Sequence, residues 1–252
     1  MTASATVQFP AKTSTTVSPL FHESASPGTN LPPPATPGTM PAIECATLFE
    51  KRELREPYQR QYQGQTRYTL SMEELNEYLA VMGIEFLCIP QQLGAPFINV
   101  DWDEATYPGA TGRMISLGFE DLYPGSGWSE GFILYSTYDF SVGAEYDRFA
   151  THEDREALIQ GSVPDMIEVD GVKGFIRFYE GGYAESPRVY KTYVFPFETS
   201  YIAVVHFLGV YNSEDASAFI EKIKTEGYPA ELLPSAQAID FMARTLQFKA
   251  LP

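Results

Sequence analysis

The run Thr199-Ser-Tyr-Ile-Ala-Val-Val-His-Phe-Leu-Gly-Val-Tyr211 constrains this chain more than any other stretch. It is the most apolar segment of the sequence and is rich in β-branched and aromatic residues, the composition of a central strand. Two alternating segments precede it, Val172–Tyr179 and Arg188–Phe195. In the second, Val189, Lys191, Tyr193 and Phe195 fall on one face. Two helical patterns follow. Ala216, Phe219, Ile220 and Ile223 form the inner stripe of the first, which Gly227 ends. Ala238, Ile239, Met242 and Leu246 form that of the second, opened by Pro234-Ser235. From Gly171 to Lys249 the order is strand, strand, strand, helix, helix, and the helices need a flat surface to bury against.

Upstream the chain reads as a meander of short strands. A helix starts at Ser71, which with Glu74 makes a capping box, and Gly83 ends it. Ile84–Ile89, Ala95–Trp102, Arg113–Phe119 and Gly131–Tyr138 read as strands separated by Gly- and Pro-rich turns. Thr151 caps a helix with Asp154 three residues on. Asp170-Gly171 joins Met166–Val169 to the next strand as a two-residue hairpin, and Glu180-Gly-Gly-Tyr183 reads as a turn. Short strands of this kind pair antiparallel. Ala46-Thr-Leu-Phe-Glu-Lys-Arg-Glu-Leu54 is expected to form a short helix.

Residues 1–41 differ in kind. They hold 13 Ser or Thr and 8 Pro, and their charged residues are Lys12 and Glu23. Such a composition buries too little apolar surface to offset its ordering entropy, so it reads as a disordered linker. Residues 42–252 read as one domain with an N-terminal helical extension.

The chain carries 33 acidic against 17 basic residues, a formal charge of -16. A surface this negative repels nucleic acid and anionic lipid. No run approaches the length of a membrane span. Cys45 and Cys88 lack the spacing of a zinc site. In an exported protein they would close one disulfide over roughly 40 residues. As free thiols, Cys88 would be buried. Both readings stand at this point.

From about Glu77 the chain resembles the PsbP-like domains, which share the Mog1/PsbP fold. Tyr78-Leu-Ala-Val-Met-Gly-Ile-Glu-Phe-Leu-Cys-Ile-Pro90 looks like the opening of that family, and Gly112–Phe119 like its second strand. Ser136-Thr-Tyr-Asp-Phe-Ser141 lies where such domains carry an aromatic-acid stretch, and Ile239–Phe248 looks like their ending. The tryptophan usual after the first strand is missing, and Gln91-Gln-Leu-Gly94 stands in its place. The resemblance implies an α+β domain, an α/β/α sandwich around a mainly antiparallel sheet, usually without catalysis; such domains occur as tethered bacterial lipoproteins, as extrinsic photosystem subunits and as a nuclear GTPase-binding protein. An extracytoplasmic location is expected on the assumption that an export signal has been removed.

Gly127-Trp-Ser-Glu-Gly131 has the Gly-x-Ser-x-Gly spacing but reads as part of a glycine turn beside a tryptophan, and there is no P-loop or dinucleotide fingerprint. His22 lies in the linker, His152 opens a helix, and His206 reads as a satisfied core histidine. Asp101-Trp-Asp-Glu104 gathers Asp101, Asp103 and Glu104 beside Trp102 at a strand end. The first reading is a solvated acidic loop and the second a weak Ca2+ site; no other cofactor is expected. Trp102, Tyr107, Tyr123, Trp128 and Tyr138 cluster near glycine-rich loops; the first reading is half-buried strand aromatics, and the second is exposed rings that would bind a partner protein or a glycan. The leading expectation is a non-enzymatic tethered domain acting through protein or ligand binding. The alternatives are a carbohydrate- or divalent-cation-binding module, and a hydrolase with a site assembled from distant residues.

Overall fold

Antiparallel pairing organises the chain. The computed structural model describes residues 42–54, 68–102, 113–119, 131–137, 149–183, 186–210 and 213–249. The strands are β1 (Arg52–Glu53), β2 (Tyr68–Thr69), β3 (Ile84–Phe86), β4 (Pro96–Trp102), β5 (Arg113–Phe119), β6 (Gly131–Thr137), β7 (Met166–Val169), β8 (Val172–Tyr183), β9 (Ser186–Pro196), β10 (Ser200–Val210) and β11 (Gln247–Phe248). The helices are α1 (Met72–Val81), α2 (His152–Ile159), α3 (Ser213–Glu226) and α4 (Leu233–Arg244). Nine strands make one sheet in the order β1-β2-β4-β5-β6-β10-β9-β8-β7, and β11 pairs with β3 in a second. The fold is α+β with antiparallel sheets.

The apolar run around residue 205 becomes β10, hydrogen-bonded to β6 on one side and β9 on the other. The Asp170-Gly171 hairpin forms with φ of 50° and 76°, the left-handed pair that a two-residue loop demands. Both capping boxes form: Ser71 with Glu74 on α1, and Thr151 with Asp154 on α2.

Register decides which side chains meet. Lys191 lies opposite Phe178 of β8 and His206 of β10, and Tyr193 opposite Ile176 and Val204. On that face Tyr193, Phe195, Ile202 and Val204 pack with Leu75 and Leu79 of α1 and Ala238, Ile239 and Met242 of α4. Val189 and Leu208 pack with Ala216, Ile220 and Ile223 of α3. On the other face Phe175, Val194, Ala203 and Val205 pack with Phe149, Ala150 and Leu158. Each such Ile, Leu or Phe, fully buried, contributes roughly 1.5–3 kcal/mol of transfer free energy.

Three sequence expectations are corrected. Residues 46–54 are not helical. Cys45 is bonded to Cys88, the Ala46 N–H donates to Ile89 O at 2.8 Å, and Arg52–Glu53 pairs with β2. A cross-link and strand pairing override a modest helix propensity. The strand expected over 84–89 stops at Phe86 and joins β11, outside the large sheet. The turn expected at 180–183 is strand, because β8 runs on to Tyr183. Gly181 permits this: a Cβ there would sit 2.5 Å from the Tyr179 ring.

Candidate functional site

The β7–β8 hairpin lies at one edge of the sheet, and its inner face stands beside α3. Between them opens a cleft of about 460 Å³, lined by Met166, Ile167, Ile176, Phe178, Ile223 and Tyr228, with Asp165, Glu168, Lys191, Lys224 and Arg244 as its charged members. A second hollow of about 360 Å³ shares Asp165, Ile176, Phe178 and Lys224 and adds Glu180, Ser217 and Glu221. These volumes suit a small organic ligand.

Lys191 rises from the middle of β9. Its ammonium lies 4.8 Å from the ring centroid of Tyr193 and 5.5 Å from that of Tyr228. Cation–π attraction offsets part of its desolvation. Burial nevertheless pushes the amine below the ordinary lysine range, opposed by the Asp240 charge. Among the described residues the ammonium has no hydrogen-bond acceptor or ion-pair partner.

The nearby carboxylate is already engaged. Tyr193 Oη donates to Asp240 Oδ1 at 2.7 Å, and Arg244 Nε donates to both Asp240 oxygens at 3.1 and 3.0 Å. Burial first, then the Asp240 charge, holds the Tyr193 phenol well above its usual range. The same two causes act on Tyr228, whose buried hydroxyl has no hydrogen-bond partner among the described residues. The third cleft cation, Lys224, is paired with Glu221 at 2.9 Å.

Behind Lys191, His206 is 1 % exposed, and its Nε2 lies 3.0 Å from Ser235 Oγ. Ser235 Oγ donates to Leu232 O at 3.0 Å, so the imidazole is assigned as the Nε2–H donor to the hydroxyl. Burial, aided by the Lys191 charge, pushes His206 down to about 3. It is a neutral, satisfied core histidine at physiological pH.

Of the residues singled out from the sequence, Asp101 and Trp102 have a described backbone position. Asp101 and Trp102 end β4, opposite Met114 and Arg113 of β5. Their side chains, and Asp103, Glu104, Tyr107, Tyr123, Trp128 and Tyr138 as a whole, lie outside the described residues. Strand β4 is separated from the cleft strands by β10 in the sheet order. Among the described residues no group of three or more His, Cys, Asp or Glu could hold a metal ion. None of the described helices is long and apolar enough to cross a membrane.

Sequence reading missed Lys191 as a site residue, although alternation places it on one face with Val189, Tyr193 and Phe195. The signal was there: one lysine on a face otherwise made of Val189, Tyr193 and Phe195. Tyr228 and Arg244 gave none, because only the tertiary packing of α3 and α4 brings them to it. No family model matches the chain, and no curated protein or solved structure matches it either.

Proposed function

We propose that this chain is an extracytoplasmic binding domain of the Mog1/PsbP type, an α/β/α sandwich on the tether of residues 1–41, which works by holding a ligand rather than by catalysis. The cleft between the β7–β8 hairpin and α3 is its binding site. One observation carries the reading: a cleft of about 460 Å³ combines apolar walls with a single unpaired ammonium, that of Lys191. Apolar walls supply affinity, and a few fixed polar groups orient the ligand.

Helical side chains on both faces of the sheet support the sandwich assignment. The Cys45–Cys88 bond supports an oxidising compartment, since disulfides persist outside the cytosol.

The test is a methyl NMR titration of isoleucine-labelled protein against neutral, anionic and cationic amphiphiles and soluble glycans. Binding in the cleft shifts Ile167, Ile176 and Ile223. Shifts at Ile98, Ile115 and Ile133 with the three cleft methyls unmoved would place the site at the β4–β6 half of the sheet and sink this reading.

A further inference from the structure

We propose that the cleft takes a monoanionic ligand with an apolar body, a carboxylate on a hydrocarbon chain, anchored by the Lys191 ammonium. This rests on the cleft being the binding site and adds the chemical class of what it holds.

An ammonium offers three N–H donors. That of Lys191 finds ring faces on two sides and no acceptor among the described residues. Asp240 already accepts from Tyr193 and Arg244, and no ion pair links it to Lys191. His206, directly opposite on β10, is neutral and tied to Ser235. Among the described residues Lys191 is therefore the cleft cation without an ion-pair partner, because Lys224 is paired with Glu221 and Arg244 with Asp240. Lys191 is half-buried, so a ligand carboxylate would replace water at its ammonium with a charge-assisted hydrogen bond inside a partly desolvated cleft.

The remaining groups set the ligand's charge and shape. Asp165 and Glu168 stand exposed at the mouth, and the whole chain carries -16. One unpaired cation in a cleft that two carboxylates also line accepts a single negative charge and disfavours phosphate dianions and polyanions. Ile167, Ile176, Phe178 and Ile223 offer the rest of the ligand an apolar wall.

Octanoate, octanamide and octylammonium share one chain and differ in head group, so they isolate the charge. Calorimetric titration of the full chain at fixed salt, with the methyl spectrum recorded alongside, should show octanoate at least about tenfold tighter than octanamide, as befits a charge-assisted hydrogen bond, and octylammonium weakest. In Lys191→Met, which keeps the apolar stem, the preference for octanoate should vanish while octanamide binding persists. Equal affinity of octanoate and octanamide for the unmodified protein, a comparison that needs no variant, overturns the anchor; cleft-methyl shifts with both would leave the binding site standing. Retention of the octanoate preference in Lys191→Met also overturns it. Failure of all three amphiphiles to bind overturns the carboxylate assignment. Binding that leaves Ile167, Ile176 and Ile223 unmoved overturns the cleft itself.

Discussion

Lys191 stands directly opposite His206 across the β9–β10 ladder, and burial pushes both bases down. The histidine resolves the conflict by staying neutral and donating to Ser235. The lysine has no such partner among the described residues. Two adjacent positions of one sheet face therefore take opposite parts, one structural and one available to a ligand.

The histidine makes stability depend on pH. Its folded value lies near 3 against an ordinary 6.5, so the unfolded chain binds the extra proton. Its contribution is complete above 6.5 and is lost as pH falls toward 3. Between pH 6.5 and 5, before most carboxylates titrate, unfolding free energy should drop by about 2 kcal/mol. Urea unfolding at both pH values measures it. His206→Gln should flatten the drop, and an unchanged slope in that variant would count against a neutral buried imidazole.

Tyr193→Phe removes the hydrogen bond to Asp240 and leaves the ring in place. Asp240 keeps Arg244, so the loss is that of one bond to a charged acceptor, about 1–3 kcal/mol. A fall in the urea midpoint with unchanged m-value is expected; no change would mean water replaces the phenol.

The Cys45–Cys88 bond spans 43 residues and ties the segment before β1 to the stretch after β3. Closing a loop of that size restricts the unfolded chain by up to about 4 kcal/mol, and natural bonds commonly deliver 2–4. Paired Cys45→Ser and Cys88→Ser changes should lower stability by that amount. Mass spectrometry of the intact protein before and after reduction should show the 2 Da gain of one disulfide. Two free thiols in protein recovered from an oxidising compartment would remove the support for export.

Gly174 and Gly171 separate crowding from backbone strain. A Cβ on Gly174 would lie 2.4 Å from Val194 O and 2.7 Å from the Phe195 ring, so Gly174→Ala should cost about 1–3 kcal/mol or more. At Gly171 nothing lies within 4 Å, yet φ is +76°, and Ala there should cost about 1 kcal/mol through strain alone. Thermal unfolding of both variants gives the order, and a reversed order would contradict the packing of β8 on β9.

Period and turn chemistry carried much of the fold. The hairpin at Asp170, the caps at Ser71 and Thr151, and the stripes of α3 and α4 all follow from local rules that burial then reinforced. Local rules failed where a distant partner decided the outcome. Cys88 ties down the segment around Cys45, β11 draws β3 away from the large sheet, and pairing with β9 keeps Gly181 in a strand. The site escaped for the same reason. Lys191 was legible as an odd residue on an apolar face, but Tyr228, Asp240 and Arg244 reach it only through helices packed from the far end of the chain. Of the acids and aromatic rings chosen from the sequence, Asp101 and Trp102 end β4, beyond β10 from the cleft strands, and the others lie outside the described residues.

The most direct measurement follows the Cε–Nζ pair of Lys191 by NMR in lysine-labelled protein through a pH titration, with and without octanoate. Without ligand the midpoint should fall below that of the surface lysines, because burial disfavours the charged form. Saturating octanoate should raise it, because an opposite charge at close range favours the ammonium. A midpoint at the ordinary lysine value that octanoate leaves unmoved would contradict the assignment of Lys191 as the anchor of the cleft.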